Sequence, residues 1–298
     1  MPRNFDRLHQ IAVDCGQEPA PSRRQAAEAL CAELRDLFCN DVDCFAYQLE
    51  VRVHGSVCND THLLSSDTDI AVIPTGCRLQ PTPKHGPAPS SVCDPLRFRE
   101  DLLVYLKKRY GAHLVCQQHK AILLCGEGGR TQADIVVLIP QLWQHKVCPH
   151  CGQPQCSHGY ELRSSCDRQF PIATWPDQHR ENAAAYDLQT GGRYKKAVRA
   201  AKGLLRSGLE EFASIPSVIP SVLVENLFAR VPQGAYAEAN GCPYDLVRCV
   251  LDALQMEFRY GRARQFQELS DKRPLFDPAQ TWTYARVERC VRQMHALL

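Results

Sequence analysis

Two aspartates separated by one residue, at the mouth of an apolar run, constrain this chain more than any other feature. The run is Ser66-Asp67-Thr68-Asp69-Ile70-Ala71-Val72-Ile73, and it follows a small turn, His54-Gly55-Ser56. The apolar residues read as a strand, closed by Pro74. Side chains of a strand alternate faces, so Asp67 and Asp69 leave one face while Ile70 and Val72 leave the other. Two carboxylates side by side repel, and an ordinary core does nothing to relieve that. A pair of divalent cations does. The rest of the chain is therefore read for the other parts of such a site.

A chain of 298 residues can bury a substantial core and divide into two lobes. Its 44% hydrophobic and 23% charged composition is that of an ordinary globular protein. Lys and Arg number 35 against 33 acidic residues, so net charge points neither toward nor away from a polyanionic partner. No run approaches the roughly 18 apolar residues of a membrane span. Met1-Pro2-Arg3-Asn4-Phe5-Asp6 lacks the apolar stretch of a signal peptide. A cytoplasmic location without a membrane partner is the expectation. Of the 16 cysteines, Cys31, Cys116, Cys125 and Cys249 sit in apolar patterns as small hydrophobes. Only Cys148, Cys151, Cys156 and Cys166 cluster, and without a secretory signal a disulfide framework is not expected.

Ser22 and Gln25 form a capping-box pattern ahead of Ala26, Ala27, Leu30, Cys31, Leu34, Leu37 and Phe38 at helical spacing. Phe45, Tyr47, Leu49, Val51 and Val53 then alternate with polar residues, predicting a strand that runs into Gly55-Ser56. Residues 75–95 are rich in Pro and Gly and read as a loop. Leu96 to Tyr110 is a second helix ending at Gly111, and His113–Cys116 with Ala121–Cys125 a strand pair. Ala133-Asp134-Ile135-Val136-Val137-Leu138-Ile139 is a further strand opened by an aspartate. From about residue 174 the pattern is helical, with Arg193–Leu209, Val222–Val231, Tyr244–Phe258 and Trp282–Leu297 as candidates. The expected fold class is α+β: a mixed-sheet lobe over 1–173, carrying a small cysteine-rich insert at 141–170, and a helical lobe over 174–298.

Asp134 completes the acidic set. It opens a β-branched run as Asp69 does, so two neighbouring strands could converge their carboxylates. Three acidic groups around two cations is the two-metal arrangement for phosphoryl transfer, in which one ion activates a hydroxyl and the other holds the triphosphate. Mg²⁺ (or Mn²⁺) suits oxygen ligands and phosphates. Capping a turn or covering a sheet edge explains any single aspartate well, but not this ordered set. Gly-Ser, then Asp-x-Asp, then a distant strand Asp resembles the signature of the polymerase-beta-like nucleotidyltransferases. The resemblance implies that Asp67, Asp69 and Asp134 are catalytic and hold two ions. It also implies that Gly55 and Ser56, with Asp67 and Asp69, bind the nucleotide.

In the helix from Arg193, the residues Lys195, Arg199, Lys202 and Arg206 fall within a stripe about 60° wide. No acidic residue lies between 188 and 209 to balance it. Cations in line repel unless an anion lies nearby, and a triphosphate would serve. The competing reading is a solvated basic face. Gly192-Arg193-Tyr194-Lys195-Lys196-Ala197-Val198-Arg199-Ala200-Ala201-Lys202 resembles the corresponding helix of the bacterial cyclic GMP-AMP synthase and DncV-like nucleotidyltransferases. Pro176-Asp177-Gln178-His179 and Pro220-Ser221-Val222-Leu223-Val224-Glu225-Asn226 match the segments on either side. That resemblance implies that Lys202 and Ser221 hold the triphosphate from the helical lobe. It further implies joining of ATP or other nucleoside triphosphates into a cyclic di- or trinucleotide, with release of pyrophosphate, whose product activates a separate effector in anti-phage (CBASS-type) defence. Where relatives often have an aromatic residue after the serine, this chain has Val222.

Cys148-Pro149-His150-Cys151-Gly152 is a Cys-x2-Cys knuckle, followed by Cys156, His158 and Cys166. A tetrahedral structural Zn²⁺ would take Cys148, Cys151 and Cys156, with Cys166, His158 or His145 as the fourth ligand. The insert has few cations, so a strong nucleic-acid surface is not expected. Two alternatives remain open. One is a nucleotidyltransferase making linear oligonucleotides or modifying an RNA end or a small molecule. The other is a non-catalytic binding protein built on the zinc insert, against which the intact acidic set argues.

Overall fold

The computed structural model describes residues 5–19, 21–40, 48–75, 81–83, 94–147, 151, 154–164, 172–213, 215, 219–239, 241–278 and 280–298. The chain divides into two compact units, and neither is a single stretch of sequence. One comprises Ala20–Cys58 and Ser66–Pro176; the other comprises Met1–Pro19, Asn59–Ser65 and Asp177–Leu298. Besides residues 177–298, the helical unit takes an N-terminal helix and a short internal segment.

The first unit is built on a five-stranded mixed sheet. Its strands are β1 (Leu49–His54), β2 (Thr68–Pro74), β4 (Val115–Gln117), β5 (Ile122–Leu124) and β6 (Ala133–Val137), in the order β1-β2-β6-β5-β4. β2 and β6 run parallel; the other pairings are antiparallel. Alternation decides the faces. Ile70, Val72, Ile122, Leu124, Ile135 and Val137 enter one core with Leu30, Leu34 and Phe38 of α2 (Pro21–Asn40) and Phe98, Leu102 and Leu106 of α4 (Pro95–Tyr110). Asp69 and Asp134 therefore lie on the face turned away from those helices. Farther along that face, Ala71, Ile73 and Leu138 form a smaller cluster with Tyr160 and Leu162 packed on it.

The expected cysteine-rich insert is largely a second sheet. β3 (Pro81–Pro83), β7 (Ile139–Val147), β8 (Pro154–Leu162) and β9 (Ile172–Thr174) pair in that order, with β7 and β8 antiparallel. A long two-stranded ribbon was not legible from cysteine spacing, because the strand-forming residues Leu142, Trp143, Tyr160 and Leu162 are interrupted by polar ones. Arg99 of α4 is buried and donates to the carbonyls of His119, Ala121 and Arg163, at 3.1, 2.9 and 3.3 Å, and also to that of Gln118, so a charged side chain shapes the β4–β5 turn from beneath.

The second unit is helical. α1 (Phe5–Gly16), α5 (Pro176–Gln189), α6 (Arg193–Leu205), α7 (Ser221–Phe228), α8 (Gly234–Ala237), α9 (Pro243–Arg259) and α10 (Tyr284–Leu297) share one core that includes Leu8, Tyr194, Val198, Leu223, Phe228, Tyr236, Val250 and Val291. α6 is central and almost wholly buried. α1 reaches it because Gly203 has no side chain: a Cβ there would stand 2.4 Å from the Cys15 Sγ. α1 had no strong sequence signature; its apolar face is short, with Leu8 and Ala12 as its buried apolar residues. No described helix is long and apolar enough to cross a membrane.

Asp94 caps α4: its carboxylate accepts from the Leu96 amide at 3.0 Å and the Arg97 amide at 3.4 Å, ahead of Pro95 in the first turn. Asp94→Ala should lower unfolding free energy by about 1 kcal/mol, measured by denaturant titration, with no change in the helical unit.

Candidate active site

β1 delivers the chain into the four-residue helix α3 (Gly55–Cys58), and β2 begins at Thr68. Register places the three elements together. His54 pairs with Asp69 across the antiparallel β1–β2 ladder, and Asp69 pairs with Asp134 across the parallel β2–β6 ladder. Neighbouring strands lie about 4.8 Å apart, so paired residues project side by side from one face. Asp67 is exposed, just ahead of the strand and two positions before Asp69; Thr68 between them is buried on the opposite side. The expected convergence of Asp69 and Asp134 is thus a consequence of parallel pairing.

Gly55 explains why the turn can sit where it does. It has φ +63°, and a Cβ at that position would stand 2.1 Å from the Asp69 Oδ2. Only a residue without a side chain lets backbone lie directly against that carboxylate. Val57 is fully buried and its carbonyl accepts from the Arg24 guanidinium at 3.1 Å, which pins the turn to α2. Ser56 is half-buried.

Electrostatics mark the same place. Burial pushes the Asp134 carboxyl above its ordinary value, and the Asp67 carboxylate pushes it further. The Asp134 Oδ1 is buried without a hydrogen-bond partner among the described residues. An orphaned carboxylate oxygen beside two more carboxylates fits a divalent cation. Among the described residues no three His, Cys, Asp or Glu side chains form a ready cage for one ion. Mg²⁺ does not require such a cage, since it is commonly held by one or two carboxylates with phosphates and water completing its shell.

The basic stripe has a different surrounding from the one its sequence suggested. Lys202 is 2% exposed, and its ammonium donates to Glu225 Oε1 at 2.6 Å, Thr61 Oγ1 at 3.0 Å and the Thr61 carbonyl at 3.2 Å. Lys195 pairs with Asp60 at 3.2 Å, and Arg199 donates to the carbonyls of Asp60 at 2.8 Å and Gly16 at 3.1 Å. The anions paired with Lys195 and Lys202 are Asp60 and Glu225, both distant in sequence. Arg206, the last of the four, is exposed and donates to the Ser221 hydroxyl at 3.4 Å. Ser221 is half-buried at the start of α7, and Val222 is 45% exposed.

Glu225 is the residue that sequence reasoning missed. Both carboxylate oxygens are engaged: Oε1 by Lys202 and by the Thr61 hydroxyl at 2.6 Å, Oε2 by His179 at 2.8 Å and Asn59 at 3.1 Å. Complete burial alone would raise its pKa; Lys202 and the hydrogen-bonded His179 outweigh that and hold it well below the usual carboxylate range. The signal was present in two halves. Four cations lacked an anion, and one acidic residue sat inside the apolar run Val222–Phe228.

Of the expected zinc ligands, Cys151 is exposed in a turn, and Cys156 is half-buried and His158 exposed, both on β8. Cys148 and Cys166, and the side chain of His145, lie outside the described residues.

Residues 181–298 match the model of the cGAS/DncV-like nucleotidyltransferase C-terminal helical domain. A cyclic dipyrimidine nucleotide synthase, CdnE of Legionella pneumophila, is 26% identical over 198 residues, which span 64% of this chain and 61% of that protein. The cyclic GMP-AMP synthase CdnE03 of Staphylococcus schleiferi is 25% identical over 234 residues, 76% of this chain and 69% of its own. The solved structure of Rhodothermus marinus CdnE c-UMP-AMP synthase with Apcpp and Upnpp shares the fold, with a TM-score of 0.74 at 21% identity across 97% of this chain and 95% of that one. The C-terminal part of the chain, residues 181–298, thus carries the helical domain of the cGAS/DncV-like nucleotidyltransferases.

A carboxyl held below its ordinary value contributes stability that is complete above the unfolded value of about 4.3 and is lost as pH falls. Unfolding free energy should therefore decline as pH is lowered from about 5 toward 3. Denaturant titrations at stepped pH should show a shallower decline in Glu225→Gln than in the parent.

Proposed function

We propose that this protein joins nucleoside triphosphates into a cyclic di- or trinucleotide second messenger, releasing pyrophosphate, and that the product acts on a separate effector in anti-phage signalling. The observation that carries this reading is the register of Asp69 with Asp134, with the Gly55 backbone lying against Asp69. It is supported by the relatives, two of which are named as cyclic dinucleotide synthases.

In this reading Asp67 and Asp69 bind both ions and Asp134 completes the set. Bound there, two Mg²⁺ or Mn²⁺ ions would neutralise the triphosphate and lower the pKa of the attacking ribose hydroxyl. Gly55 and Ser56 contribute backbone and hydroxyl donors to phosphate oxygens. Ser221 serves the triphosphate from the helical unit, with Arg206 beside it. Lys202, the other residue the resemblance assigns to that role, would have to exchange Glu225 or Thr61 for a phosphate oxygen. No nucleophilic side chain is required, because the reaction depends on positioning and charge stabilisation. A structural Zn²⁺ on Cys148, Cys151, Cys156 and Cys166 rests on the spacing of the knuckle alone, and metal analysis of the purified protein with Cys148→Ser as control tests it.

Incubation of the purified protein with each labelled nucleoside triphosphate and Mg²⁺ or Mn²⁺, followed by mass analysis, should give a phosphatase-resistant product lacking a terminal phosphate. A phosphatase-sensitive product would indicate a linear oligonucleotide instead. Asp67→Asn with Asp69→Asn should abolish product. Gly55→Ala, which must displace the Asp69 carboxylate, should lower turnover by at least about a hundredfold, as misplacement of about 1 Å does elsewhere.

A further inference from the structure

The residues assigned to catalysis on the Gly55–Ser56 turn and on the Asp67–Asp69 strand start are joined by chain that belongs to the helical unit, Asn59–Ser65. Three successive residues of that segment are fastened there. Asn59 donates to Glu225 Oε2 at 3.1 Å; Asp60 receives Lys195 on its carboxylate at 3.2 Å and Arg199 on its carbonyl at 2.8 Å; Thr61 donates to Glu225 Oε1 at 2.6 Å and accepts from Lys202 at 3.0 Å. Thr61 is fully buried, and Glu225 and Lys202 are 3% and 2% exposed.

α7 has no packing need for a carboxylate at this position, since Leu223, Val224, Leu227 and Phe228 already carry its core contacts. A buried ion pair is often no more stabilising than apolar residues of the same volume. What it supplies that an apolar residue cannot is directional attachment, and here two of the four groups on Glu225 come from the Asn59–Thr61 segment.

We infer that Glu225, held by His179 and Lys202, is a positioning residue for nucleotidyl transfer. It fastens Asn59–Thr61, and through the covalent chain it limits the motion open to the Gly55–Ser56 turn on one side and to Asp67 and Asp69 on the other. The inference rests on the reaction proposed above. It differs from a triphosphate-binding role in what it predicts: loss of Glu225 changes turnover, with nucleotide affinity kept.

The test uses the full chain in three forms: parent, Glu225→Gln, and Thr61→Val, which keeps side-chain shape and removes only the hydroxyl link. Amide hydrogen exchange is followed in peptides spanning 57–66, and kcat and KM are measured for each nucleotide with Mg²⁺. Both variants should exchange about tenfold faster or more in this segment. Both should lose about tenfold or more in kcat, with KM within about threefold of the parent. Unchanged exchange overturns the inference, as does a raised KM with kcat retained. If Glu225→Gln fails to fold, Thr61→Val decides the matter. If the parent forms no product from any triphosphate, the reaction and the positioning role both fall, while faster exchange in the variants would still establish the fastening.

Discussion

A carboxylate can be held inside a protein only when cations and hydrogen-bond donors are brought to it, and Glu225 is surrounded in that way. Lys202, His179, Thr61 and Asn59 come from three separate stretches of chain. Each alone would be an expensive group to bury. Removing one member of such a set is typically worth 3–5 kcal/mol, roughly, because the partner is left uncompensated. The arrangement therefore makes α5, α6, α7 and the Asn59–Ser65 segment mutually dependent.

The catalytic candidates depend on a different constraint, the pairing of β2 with β6. A slip of one residue would turn Asp134 into the helix-covered core and Ile135 out of it, so the apolar face enforces the acidic one. Gly55 then admits the turn against Asp69. Register and a missing side chain, rather than any long-range attraction between carboxylates, bring these groups together.

Much of this was legible in the sequence. The Asp-x-Asp strand, the Asp134 strand, α2, α4, α6, α7, α9 and α10 announce themselves by period, cap or turn residue, because those signals are local. The family resemblance named the nucleotidyltransferase class. The partners of the basic stripe were not legible. Asp60 and Glu225 lie far from Lys195 and Lys202 in sequence, and only the folded helical core brings them within reach. A patch of like charge read from sequence looks the same whether it awaits a ligand or already has its counter-charges. The β7–β8 ribbon was not legible for another reason: its alternation is irregular around the bulge between Gln144 and Lys146.

The helical unit is interlaced with the rest of the polypeptide. It draws α1 from the start of the chain and Asn59–Ser65 from the middle, yet the family domain recognised by sequence begins at residue 181. That recognisable block is not a self-sufficient module. Cut out by itself, it would leave Gly203 facing water where Cys15 had been, and Glu225 without Asn59 and Thr61. A fragment of this chain that is to keep the helical core and the Glu225 cluster must therefore carry α1 and the Asn59–Thr61 segment as well as residues 181–298.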